Sequence, residues 1–132
     1  MDDSSINLHI TSSQTNMQGE TDTIEFFTEA KYYEKGGRQY ITYKESEISG
    51  FEGTNSTIRV NSDEVTLTRF GTINSRMVFK KGCETRAAYA TAYGIFDLTI
   101  FTEKVNIDVC NSKLNSIYLK YTLKINLQEQ FI

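Results

Sequence analysis

Ile117-Tyr118-Leu119-Lys120-Tyr121-Thr122-Leu123-Lys124-Ile125 sets apolar side chains at every odd position, with lysine or threonine filling most places between. Extended backbone sends successive side chains to opposite faces, so this period of two describes a strand with one dry side and one wet side. The same rhythm recurs in Ile58-Arg59-Val60 and Val65-Thr66-Leu67. Proline is absent, so no segment loses the donor that a sheet ladder needs.

Working outward, the chain divides at its glycines and asparagines. Ile6–Ser12 reads as the first strand, and residues 1–4 as a frayed end. Thr23–Glu34 follows, and Lys35-Gly36-Gly37 supplies a hairpin turn into Arg38–Glu47. Beyond the loop marked by Gly50 and Gly53 come Thr57–Asn61, Glu64–Phe70, Arg76–Lys81 and Glu84–Tyr93. A long strand starts at Ile95 and changes phase: Phe96, Leu98 and Ile100 share one face, then Val105, Ile107 and Val109 do. A one-residue shift of phase is the mark of a β-bulge. Asn111–Asn115 reads as a loop before Ile117–Leu127. The alanines of Thr85–Ala92 are the nearest approach to a helical stretch, but Tyr89, Thr91, Tyr93 and the bounding Gly82 and Gly94 favour strand.

About nine strands at a spacing near ten residues form an antiparallel meander, and a long meander protects its edges most simply by closing. The expected fold is therefore all-β: a closed antiparallel meander β-barrel of about eight to ten strands, in one domain over residues 1–132. Its inward face should carry Ile6, Leu8, Ile10, Ile24, Phe26, Ile58, Val60, Val65, Leu67, Ile117, Leu119, Leu123 and Ile125.

The 132 residues carry a formal charge of −3. That balance argues against a nucleic-acid or anionic-membrane surface. No apolar run reaches the roughly 20 residues of a spanning helix, and the acidic start Met1-Asp2-Asp3 has no apolar signal core, so a cytoplasmic location is expected. Cys83 and Cys110 are too few for a disulfide framework and read as free thiols. With His9 the single histidine, neither a metal set nor a catalytic triad is expected. No cofactor fingerprint or nucleophile elbow is present, so an enzyme is disfavoured and no cofactor is expected.

Several stretches together resemble a known family: Tyr40-Ile41-Thr42-Tyr43-Lys44-Glu45, Thr57-Ile58-Arg59-Val60, Arg69-Phe70-Gly71, Tyr89-x-Thr91-x-Tyr93-Gly94 and Ile117 to Leu123. In order and spacing, from about Ile6 to Leu127, they are similar to the YwiB-like family of uncharacterised bacterial proteins. The resemblance implies a barrel of the lipocalin-like (calycin) kind and brings no activity or catalytic residue with it.

Arg69 is the first candidate for chemistry. If Val65 and Leu67 face inward, alternation sends Arg69 inward too, where a charge needs partners. It is either an anion clamp in a cavity, through its bidentate fork, or a structural arginine closing one barrel end by stacking on an aromatic. Tyr43, Tyr89, Tyr93 and Tyr121 offer apolar rings with hydroxyl tips, suited to a cavity wall and equally to ordinary strand packing. Arg76, Lys80, Lys81 and Arg86, with Arg59 not far off, could make a basic patch; Asp63, Glu64 and Glu84 beside them favour a solvated face of mixed charge. Glu45 and Glu47 share a strand face and could resemble an acid–base pair, but beside the loop at Gly50 they read more simply as solvated, and His9 reads as a surface imidazole with no identifiable acid partner. Two functions from different classes are expected: a barrel binding one small, partly apolar molecule, or a filled barrel acting through its outer surface or by self-association.

Overall fold

In the computed structural model, residues 4–46, 51–111 and 113–127 are described, residue 127 by its backbone alone. They form one sheet of nine strands in sequence order: β1 (Ser4–Thr15), β2 (Thr21–Lys35), β3 (Arg38–Lys44), β4 (Thr54–Asn61), β5 (Glu64–Gly71), β6 (Asn74–Lys80), β7 (Glu84–Thr91), β8 (Gly94–Cys110) and β9 (Lys113–Leu127). Every pairing is antiparallel and joins neighbours in the chain.

The sheet is an all-β meander curled into a half-barrel. Its core has two parts on the concave side. Val60, Val65, Met77, Phe79, Leu98 and Ile100 make one, and Phe26, Ala30, Ile41 and Tyr43 make the other. Ile58 and Leu114 pack against both, so the curl lays the start of β9 over β2 and β3. Each fully buried Leu or Ile there contributes roughly 1.5–3 kcal/mol. Among the described residues no ladder joins β9 to β1.

The phase change read in β8 is a register shift between Thr102 and Lys104, which leaves Glu103 as the extra residue. Leu98, Ile100 and Thr102 are buried before it, and Val105 and Ile107 return to the core side after it. Several strands run longer than alternation alone suggests. β1 begins at Ser4, paired with Tyr32, so fraying at that residue is corrected, whereas residues 1–3 lie outside the described residues. The expected loop at Asn111–Asn115 is a tight turn instead: Cys110 pairs with Lys113, and Asn111 takes the positive φ of 53° that such a turn requires. β7 ends at Thr91, before Tyr93, and β6 and β7 share ladder positions only at Asn74–Ala90 and Ser75–Tyr89. Further along that seam the Thr85 hydroxyl donates to the Val78 carbonyl at 2.7 Å.

Phe26, Val60 and Val65 of the expected inward set are buried, and Ile6, Leu8, Ile10, Ile58, Leu67, Ile117 and Leu119 are half-buried on the core side. Ile24, Leu123 and Ile125 need correction, because they are exposed, Ile125 at 57%. Leu123 and Ile125 pair with the buried Ile100 and Leu98, so they hold the concave face; among the described residues no strand covers them. Alternation decides which face a residue takes, and the curl decides how deep that face lies.

Candidate functional site

Cross-strand register places five inward residues in one row: Tyr43 of β3 opposite Ser56 of β4, Ser56 opposite Arg69 of β5, Arg69 opposite Ser75 of β6, and Ser75 opposite Tyr89 of β7. The row follows from alternation, since Ser56 keeps phase with Ile58 and Val60, and Ser75 with Met77 and Phe79. It lays a polar layer across one end of an otherwise apolar wall.

Arg69 sits at the centre, with its side chain 14% exposed. Its guanidinium carbon lies 4.1 Å above the ring of Phe51, a cation–π contact with the loop between β3 and β4. Glu45 approaches Nε at 4.0 Å, and Nη1 reaches the sulfur of Met77 at 3.9 Å. The carboxylate is buried and accepts a 2.7 Å hydrogen bond from the Ser56 hydroxyl. Solvation of Glu45 is thereby corrected: it follows Ile41 and Tyr43 on the inward phase, between Ser56 and Arg69. Glu47 lies outside the described residues. The loop itself is drawn in by Gly71, where φ is +136° and a Cβ would collide with the carbonyl oxygen of Gly53.

Burial and the neighbouring Glu45 carboxylate both raise the Tyr43 pKa, with Arg69 opposing. Burial also raises those of Tyr89 and Tyr121, and in both the Arg69 charge pulls the other way. Arg69 therefore acts on three tyrosines from three separate strands, β3, β7 and β9. Tyr121 keeps 39% of its surface open, yet its phenol end is deep enough for burial to shift it, and its ring packs on Phe79 at 4.7 Å. Tyr93 lies apart. It is 93% exposed in the turn after β7, where its amide donates to the Thr91 hydroxyl.

Among the described residues, three buried polar atoms on the concave side have no hydrogen-bond partner: Arg69 Nε, Ser75 Oγ and Thr102 Oγ1. Glu45 offers Arg69 Nε charge at 4.0 Å but no hydrogen bond. Sequence reasoning reached Arg69 and the tyrosines, read Glu45 as solvated, and missed Phe51, Ser56, Ser75 and Thr102. The signal for Ser56 and Ser75 was present in the alternation of their strands. The positions of Glu45 and Phe51 depend on the curl and its loop.

On the opposite face His9 does have an acid partner, Glu25 at 3.2 Å, and stacks on Phe27 at 4.2 Å. Among the described residues no cluster of three His, Cys, Asp or Glu could hold a metal, and no helix is long and apolar enough to cross a membrane. Cys83 and Cys110 are free thiols.

The family model described as a domain of unknown function, DUF1934, matches residues 8–131. A curated relative, the uncharacterized beta-barrel protein YwiB of Bacillus subtilis, is 27% identical over 127 residues, covering 96% of this chain and 87% of the relative. The crystal structure of the ywiB protein from Bacillus subtilis superposes with a TM-score of 0.81 at 25% identity, over 92% of this chain and 83% of that one.

Proposed function

We propose, for a chain that belongs to this DUF1934 family of β-barrel proteins, a binding role: the concave face takes one small, partly apolar molecule. The observation that carries it is the set of buried unpartnered atoms, Arg69 Nε, Ser75 Oγ and Thr102 Oγ1, on the same face as the uncovered Tyr121, Leu123 and Ile125. Buried polar atoms in folded proteins are almost always paired, and unpaired ones concentrate where a function needs them. A ligand with an apolar body and one polar end would cover the β9 wall and meet the Arg69 end. Tyr89 and Tyr121 would supply hydroxyls, while Tyr43 backs the arginine. Closure of the curl in a lipocalin-like manner around such a ligand, and a cytoplasmic setting, belong to the same reading.

The experiment is native mass spectrometry of protein taken directly from cells, paired with titration of the fluorescent probe 1-anilinonaphthalene-8-sulfonate. A co-purified mass, and probe binding that Leu123→Asp weakens about tenfold or more by placing a charge on the apolar wall, are expected. No bound mass and probe binding indifferent to Leu123→Asp would sink the reading.

A second reading rests on the two sheet edges. Among the described residues β1 pairs only with β2 and β9 only with β8, and such edges invite pairing. In that reading the barrel is filled and the chain acts by self-association, which sedimentation velocity would show as a concentration-dependent dimer.

A further inference from the structure

Arg59 and Arg76 stand on the convex face, where two adjacent cross-strand rows meet. One row runs Tyr33, Tyr40, Arg59, Thr66 and Val78; the next runs Lys31, Thr42, Thr57, Thr68 and Arg76. Two inter-strand spacings and one pleat period separate the arginine backbones by roughly 12 Å, across which two long side chains can converge on one anion. Thr57, Thr66 and Thr68 lie between them. Their short side chains make a low floor beneath taller walls of Tyr40, Arg59 and Arg76, and the result is a groove of about 470 Å³.

The charge of this groove is one-sided. All six of its lining residues are hydrogen-bond donors, and none is a carboxylate. In a chain of net charge −3, neither arginine has an ion-pair partner among the described residues. Arg59 is half-buried; among the described residues its Nε is buried without a hydrogen bond, and its Nη2 reaches only the Thr66 hydroxyl at 3.5 Å. Tyr33 stacks against Tyr40 at 4.9 Å with the rings 4° from parallel, which fixes Tyr40 as the end wall.

We propose that this groove is a second binding site, independent of the concave one, for a small phosphomonoester that carries a planar ring. Two guanidinium forks and the threonine hydroxyls would hold the dianionic phosphate, and Tyr40 would take the ring. Recognition is by charge and donor geometry, so the ester should bind where its dephosphorylated parent does not.

The test is calorimetric titration of the full chain with adenosine 5′-monophosphate, adenosine, ribose 5-phosphate and inorganic phosphate. Saturable binding of the monophosphate, none of adenosine, weaker binding of ribose 5-phosphate and competition by inorganic phosphate are expected. Arg76→Met alone and with Arg59→Met should weaken the monophosphate by about tenfold or more, because each removes charged hydrogen bonds. Arg86→Met, outside the groove, should leave binding unchanged, and so should Leu123→Asp, which separates this site from the concave one. Thermal melts of each variant confirm folding, and the exposed Arg76 serves alone where the double variant fails to fold. Absence of monophosphate binding, or binding that a folded Arg76→Met variant retains in full, overturns the proposal. So does a short single-stranded RNA that binds about a hundredfold more tightly than the monophosphate, which would assign the groove to a macromolecule.

Discussion

Arg69 and Arg59 lie on neighbouring strands, β5 and β4, and share one defect: a buried Nε with no hydrogen bond. Their surroundings differ in kind. On the concave side Arg69 has a buried carboxylate at 4.0 Å and an aromatic ring beneath its guanidinium. On the convex side Arg59 has a threonine hydroxyl at 3.5 Å and a wall of hydrogen-bond donors. The first arginine lies beside an opposite charge and over a ring. The second has only neutral hydroxyls and another arginine around it among the described residues. A buried charge is integrated by its opposite charge, and burial alone does not distinguish a fastener from a receptor.

Arg69→Met should break the comparison most strongly. Methionine keeps much of the stem volume but leaves Glu45 buried without a cation, at a cost of about 3 kcal/mol in denaturant melts. A variant as stable as the parent would place Arg69 with Arg59, as a group waiting for an anion.

Gly71→Ala loosens the same end without touching either charge. The left-handed φ and the collision with the Gly53 carbonyl oxygen together should cost on the order of 2 kcal/mol, and the loop over Arg69 should lose amide protection in hydrogen exchange. Unchanged exchange there would mean that Phe51 holds its place independently.

Thr102→Val moves stability the other way. Its hydroxyl is fully buried and unpartnered, and valine keeps the shape, so the melt should rise by about 1 kcal/mol while binding at the concave face weakens. A loss of stability would reveal a hydrogen bond to that hydroxyl and remove it from the binding reading.

The smallest effect is expected at Arg59→Met. With no ion pair to lose, stability should stay within about half a kcal/mol of the parent in phosphate-free buffer. Addition of phosphate should then stabilise the parent and leave the variant where it was. A large destabilisation in plain buffer would make Arg59 structural after all.

The face of nearly every side chain was legible in the sequence, because period two survives wherever a strand is continuous. Val65 and Leu67 point to Arg69, and even the bulge at Glu103 shows as a broken rhythm between Ile100 and Val105. Depth and partnership were not legible. Leu123 and Ile125 keep the right face but lie open, since coverage depends on how far the sheet curls. Glu45 reaches Arg69 from just beyond the end of β3, past the strand between them, and His9 meets Glu25 through a register that pairs it with Phe27. Tyr93 continues the spacing of Tyr89 and Thr91 on paper, but the turn between β7 and β8 takes it out to solvent.

The strict nearest-neighbour order of the nine strands also bears on how the chain is made. Each strand finds its partner in the segment synthesised just before it, so a nascent chain can extend the sheet hairpin by hairpin as it leaves the ribosome. The growing edge is then always the newest strand, and the core closes only when the start of β9 arrives to lay Leu114 across both halves. A chain halted after β8 would present an assembled wall with its lid still unmade, the stage at which help from a chaperone would matter most.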